Sequence, residues 1–111
     1  MKKLLTIAIA ASALTAAVPA LAQTYLDDRA AQADQRIDNG ESNGSLSVSE
    51  AATLRARLHD IERLQERYRE DGMANWQARD LNRRYDNLSS QIYEMRHDQY
   101  RYERHYDDDV W

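Results

Sequence analysis

Apolar side chains recur at helical spacing along most of this chain, in three stretches separated by its few glycines. Leu26, Ala30, Ala33 and Ile37 follow one another at intervals of four, three and four residues. That spacing lays a narrow apolar stripe along one side of a helix. It predicts a short first helix within residues 23–38, with Gly40 as its stop, because glycine tolerates the left-handed conformation that ends helices. Residues 39–46 then form a Gly/Asn/Ser loop.

A stronger pattern begins at Val48. Ala51, Leu54, Leu58, Ile61 and Tyr68 form a heptad-like seam, interrupted by Gln65 and broadened by Leu64. Ser47 and Glu50 precede it in capping-box order, with the serine oxygen accepting an early backbone N–H and the glutamate reaching back. Asp71-Gly72 closes this second helix. A third helix is predicted from Asn75, a good N-cap residue, to about Arg104, with Leu81, Tyr85, Leu88, Ile92, Met95 and Tyr102 along its seam. Only a few residues join the second and third helices, so residues 47–104 should fold back as an antiparallel, coiled-coil-like hairpin. The acidic end, residues 105–111 ("HYDDDVW"), is predicted to fray or remain a disordered tail. The expected fold class is therefore all-α: an antiparallel helical hairpin with a short N-terminal helix.

The first 22 residues do not belong to that fold. Lys2 and Lys3 precede an apolar run from Leu4 to Val18, Pro19 breaks it, and Ala20, Leu21 and Ala22 supply small residues for cleavage before Gln23. This is the pattern of a Sec-type signal peptide, and it predicts a periplasmic or secreted protein with no integral membrane span after cleavage. Cysteine is absent, which removes disulfides, thiolate metal sites and a lipid-anchored cysteine. Losing Lys2 and Lys3 takes the formal charge from −4 to −6. Nucleic acid is a poor fit for such a chain, since its binding rests on neutralising phosphates. Every remaining basic residue is an arginine interleaved with Asp or Glu, as on solvated, ion-paired helix faces.

"NGESNGSLSVSE", residues 39–50, carries the sharpest candidate chemistry. Oxygen-bearing side chains fall at the first, third, fifth, seventh and ninth positions, glycine at the sixth and glutamate at the twelfth. This is the outline of an EF-hand loop, in which Asn39, Glu41, Asn43, Ser45 through its carbonyl, Ser47 and Glu50 would surround calcium. With only two carboxylates the affinity would be weak, roughly 10⁻⁴ to 10⁻³ M. The other reading uses the same residues as helix punctuation: Gly40 as a stop, Asn43-Gly44 as a turn, and Ser47 with Glu50 as a cap. The cap reading accounts for more of the stretch. Weak calcium binding remains as the alternative, and no other cofactor is expected.

Elsewhere the chemistry is sparse. His97 and His105 lie eight residues apart, about 12 Å along a helix and too far for one metal. His59 sits among charges, and His105 with Asp107 and Asp109 reads as solvated. No nucleophile–base order, phosphate loop or zinc motif appears, so the chain is not expected to be an enzyme. Tyr93, Tyr100, Tyr102, Tyr106 and Trp111 make the last third aromatic. Such residues serve interfaces well, although Tyr85 and Tyr102 are expected in the core and Trp76 across the Gly72 turn. A hairpin core of this size is thin, so a protein partner or self-association is expected to cover its remaining apolar edge. These features suggest a non-catalytic protein concerned with envelope interaction or stress, with a periplasmic holdase-type chaperone and a weak calcium binder as alternatives.

The segment from Gly44 to Ile92 resembles a group of small exported (periplasmic) helical proteins of proteobacteria whose activity is uncharacterised. Their Gly-x-Leu-Ser/Thr-x-x-Glu-Ala opening maps onto Gly44, Leu46, Ser47, Glu50 and Ala51. Their glycine turn maps onto Gly72, and their Asp-Leu-x-x-Arg onto Asp80, Leu81 and Arg84. Members often carry basic or small residues where this chain has Asn39 and Glu41, so the resemblance implies the cap rather than the calcium site. Leu46-Ser47-x-x-Glu50 is more loosely similar to the Leu-Thr-x-x-Gln motifs of helical periplasmic stress chaperones of the Spy/CpxP kind.

Overall fold

The computed structural model describes residues 19–108, with side chains over residues 19–98. It is all-α, with helices α1 (Ala20–Ser42), α2 (Val48–Glu70) and α3 (Asn75–Asp108). Each helix packs against both others: α2 and α3 form the antiparallel hairpin, and α1 lies along it to complete a three-helix bundle. The run from Leu4 to Val18 lies outside the described residues. Ala20, Leu21 and Ala22, the expected cleavage region, form the first turn of α1. No helix among the described residues is long and apolar enough to cross a membrane.

α1 is longer than its sequence pattern predicts, and Gly40 is the reason. Gly40 does not stop the helix; it lies inside α1 and is buried, three residues beyond Ile37 on the same stripe. Leu46 folds back over it, and a Cβ at position 40 would lie 2.6 Å from Leu46 Cδ1 and 2.8 Å from its Cγ. Glycine is needed there for close approach, not for backbone freedom. The helix actually ends at Ser42, and Gly44 takes the left-handed conformation (φ +81°). The Leu46 N–H then donates to the Gly40 carbonyl at 2.9 Å.

α2 begins and ends with well-formed caps. Both halves of the Ser47–Glu50 box are present: Glu50 N–H donates to Ser47 Oγ at 3.0 Å, and Ser47 N–H to Glu50 Oε1 at 2.9 Å. At the far end Gly72 has φ +91°. Its N–H donates to the Arg69 carbonyl at 3.0 Å, and the Met73 N–H to the Tyr68 carbonyl at 2.8 Å. These two bonds make a Schellman motif. Met73, also left-handed at φ +40°, is completely buried, so its apolar contacts offset a backbone conformation that costs on the order of 1 kcal/mol.

The start of α3 differs from expectation. Asn75 is already helical, and the reaching side chain is that of Gln77, whose Oε1 accepts from the Ala74 N–H at 2.8 Å. α3 also runs past Arg104 to Asp108, so residues 105–108 are helical; residues 109–111 lie outside the described residues.

Cross-links fix the register. Arg29 reaches Asn82 and Arg36 reaches Ser89, both across 53 residues, so α1 and α3 run parallel, with α2 antiparallel to both. The core is a continuous column that includes Leu26, Ile37, Leu54, Leu58, Met73, Leu81, Leu88 and Ile92. Each such side chain contributes roughly 1.5–3 kcal/mol through removal from water.

Candidate functional site

Gln65, the interruption in the α2 seam, is 4% exposed and anchors a polar layer across all three helices. Tyr85 of α3 donates its hydroxyl to Gln65 Oε1 at 2.5 Å, and Gln65 Nε2 donates to Asp27 Oδ1 of α1 at 2.8 Å. Arg69 Nη2 donates to the same carboxylate oxygen at 2.6 Å. Burial, joined by the fields of Glu62 and Asp27, pushes the Tyr85 hydroxyl up to about 12. The Arg29 guanidinium sits 5.7 Å from the centre of the Tyr85 ring and bonds onward to Asn82 and Asp86. The Tyr85, Gln65 and Arg69 donors of this layer each have an acceptor, as a low-dielectric interior demands.

The 39–50 segment does not wrap around a centre. Asn39 and Glu41 belong to the last turns of α1, and residues two positions apart on a helix point about 200° apart. Glu41 Oε1 accepts from Arg55 Nη2 at 2.9 Å, beside Asp38 on the same guanidinium. Asn43 Oδ1 accepts from the Ser45 N–H at 2.9 Å. Ser45 is buried, and its Oγ lies 3.4 Å from the Gly40 carbonyl while accepting from Arg96 Nε at 3.0 Å. Glu50 and Ser47 hold each other in the capping box. The side-chain oxygens of Glu41, Asn43, Ser47 and Glu50 are thus engaged in closing α1 and opening α2, and the Ser45 hydroxyl ties that connection to α3. No group of three or more His, Asp or Glu side chains among the described residues is placed to share a metal.

The two histidines whose side chains are described, His59 and His97, are surface groups. His59 lies 3.7 Å from Glu62, with both exposed. His97 stacks on Tyr93 at 3.8 Å between ring centres and has Nδ1 2.8 Å from the Tyr93 carbonyl oxygen. The side chains of Tyr100, Tyr102, His105, Tyr106, Asp107, Asp109 and Trp111 lie outside the described residues.

Concave surfaces are found on two sides of the described bundle. A shallow cleft of about 410 Å³ between α1 and α2 is floored by Ala30 and Ala31 and rimmed largely by Asp27, Asp34, Glu62 and Glu66. A second, of about 540 Å³, lies where α2 turns into α3. There Trp76 meets Tyr68 edge to face, with ring centres 5.6 Å apart, yet remains 58% exposed. Arg79, Arg83 and Arg84 complete the wall around Asp80. Asp80 Oδ2 accepts from the Tyr68 hydroxyl at 2.8 Å and from Arg84 Nε at 2.9 Å, and Oδ1 accepts from Arg83 at 3.2 Å. Burial opposes the Asp80 charge, but the bonds from Arg84, Tyr68 and Arg83 outweigh it and hold its pKa below the ordinary carboxylate range. This second depression combines a large exposed ring with guanidinium groups, the side chains that dominate protein recognition. The position of Trp76 at the turn follows from the sequence, but this setting does not, because it depends on Tyr68 and Asp80 meeting across the turn.

No protein-family model matches the chain, and neither the curated proteins nor the solved structures contain a significantly similar one.

Proposed function

We propose that this chain is an exported, non-catalytic binding protein of the cell envelope, stress-related in role, that engages other proteins through aromatic and arginine-bearing helix faces. The observation that carries this reading is Trp76. It is held against Tyr68 by the turn, stands 58% exposed, and is bordered by Arg79, Arg83 and Arg84. A rigid ring with charged neighbours offers large contact area at little entropic cost.

The test is tryptophan fluorescence in a Trp111→Phe background, where Trp76 is the sole reporter, during titration with a chemically unfolded model client. A blue shift, with slower client aggregation by light scattering, is expected; Trp76→Ser should lose the protection. An unmoved spectrum with unslowed aggregation overturns the reading. Export is tested by cell fractionation and by sequencing the N-terminus, which should begin at Gln23.

A further inference from the structure

The far end of α3 has no counterpart in the bundle. Arg96 donates to Ser45 in the α1–α2 connection, so that connection is level with position 96. α3 continues to Asp108, roughly 18 Å farther at 1.5 Å per residue, where neither α1 nor α2 extends. This arm leads into three consecutive aspartates, Asp107 to Asp109, followed by Val110 and Trp111. At the other end of the same helix lies the Trp76 depression, whose Arg79 is exposed and makes no ion pair among the described residues. Acidic arm and basic depression are complementary in charge. They cannot meet within one molecule, because Trp76 and Asp107 are separated by roughly 46 Å of continuous helix.

We propose that the acidic arm of α3 docks on the Trp76–Arg79 depression of a second copy, giving an antiparallel dimer along α3. The spacing of the exposed residues agrees. Arg79, Asp86 and Tyr93 lie seven residues apart and are all solvent-exposed, and Tyr100 and Asp107 continue the interval in sequence. An antiparallel partner that sets Arg79 against Asp107 brings Tyr93, midway between them, onto the two-fold axis against its own copy. Arm and depression are then exchanged reciprocally, which closes the assembly at two. A seven-residue repeat is the interval at which two helices keep facing each other. Because the stripe is more charged than apolar, the dimer is a salt-sensitive one.

This inference rests on the reading of the depression as a binding surface, and the experiment separates the two. Sedimentation equilibrium of the purified chain should show a monomer–dimer equilibrium whose Kd rises at least tenfold between low salt and 0.5 M sodium chloride. Arg79→Glu should weaken the dimer at least tenfold, as should Asp107→Arg with Asp109→Arg; joining all three substitutions should restore much of it. Melting temperatures equal to that of the wild type, taken at dilutions where the wild type is itself monomeric, will show that each variant keeps its fold. A chain that stays monomeric at millimolar concentration overturns the proposal, as does a dimer indifferent to both sets of changes. If Arg79→Glu acts and the tail substitutions do not, the depression binds something other than this arm: the dimer proposal falls and the binding surface stands.

Discussion

Leu46 occupies the space where a side chain at position 40 would stand, with its Cδ1 2.6 Å from the place of the missing Gly40 Cβ. A glycine inside a helix ordinarily costs about 1 kcal/mol relative to alanine, so Gly40→Ala should stabilise α1 in isolation. In the bundle the overpacking cost of about 1–3 kcal/mol should win, because Leu46 is itself only 2% exposed. The expected outcome is a lower melting temperature, partly recovered when Leu46→Ala accompanies the change. Additive losses in the double variant would show that the two sites are independent.

The Tyr85–Gln65 bond should behave as a buried pair. Gln65→Leu leaves the Tyr85 hydroxyl without its acceptor and should cost about 1–3 kcal/mol in urea unfolding. Adding Tyr85→Phe removes the orphaned donor and should return part of that loss. Asp27 keeps Arg69 as its partner in either variant. A double variant no better than Gln65→Leu alone would argue that packing, not the unmet hydroxyl, sets the cost.

Alkaline pH provides a second readout of the same layer. Tyr85 is raised to about 12 from an ordinary value of 10, so its neutral form is favoured in the folded chain. The associated stability is fully present below pH 10 and is lost as pH rises from 10 toward 12. Tyr68, raised by burial and by its bond to Asp80, acts in the same direction. Chemical unfolding at pH 9 and pH 11 should show a loss in the wild-type chain that Tyr85→Phe reduces. Equal losses in both chains would rule out Tyr85 as the titrating group.

The Ser47–Glu50 cap separates helix punctuation from metal chemistry. Glu50→Gln retains an acceptor for the Ser47 N–H and should change the melting temperature little, whereas Glu50→Ala should cost about 1 kcal/mol. Millimolar calcium should leave the wild-type melting temperature unchanged, since Glu41 and Glu50 are already occupied by Arg55 and the capping box. A calcium-dependent rise in the wild type that is absent in Glu50→Gln would restore the calcium reading of residues 39–50.

The all-α class, the α2 seam and its cap were legible because each rests on neighbours within one or two helical turns. Gly40 was not, since the sequence offers no sign that Leu46 returns to cover it, and a glycine beyond an apolar stripe ordinarily ends a helix. Gln65 looked like a fault in the seam for a similar reason: its justification is Tyr85 on another helix and Asp27 on a third. Asn75 had the composition of a cap, but Gln77, two residues on, performs the reaching. The Trp76 depression was hidden by the same limit, because an exposed ring and a buried one have the same letter.

The parallel course of α1 and α3 separates the ends of the described bundle. The first turn of α1 and the last turn of α3 lie at opposite poles, roughly 50 Å apart by the length of α3. A label or tether attached near Gln23 therefore leaves the distal pole unobstructed, and two probes placed at the poles would report on the straightness of the rod rather than on its folding alone.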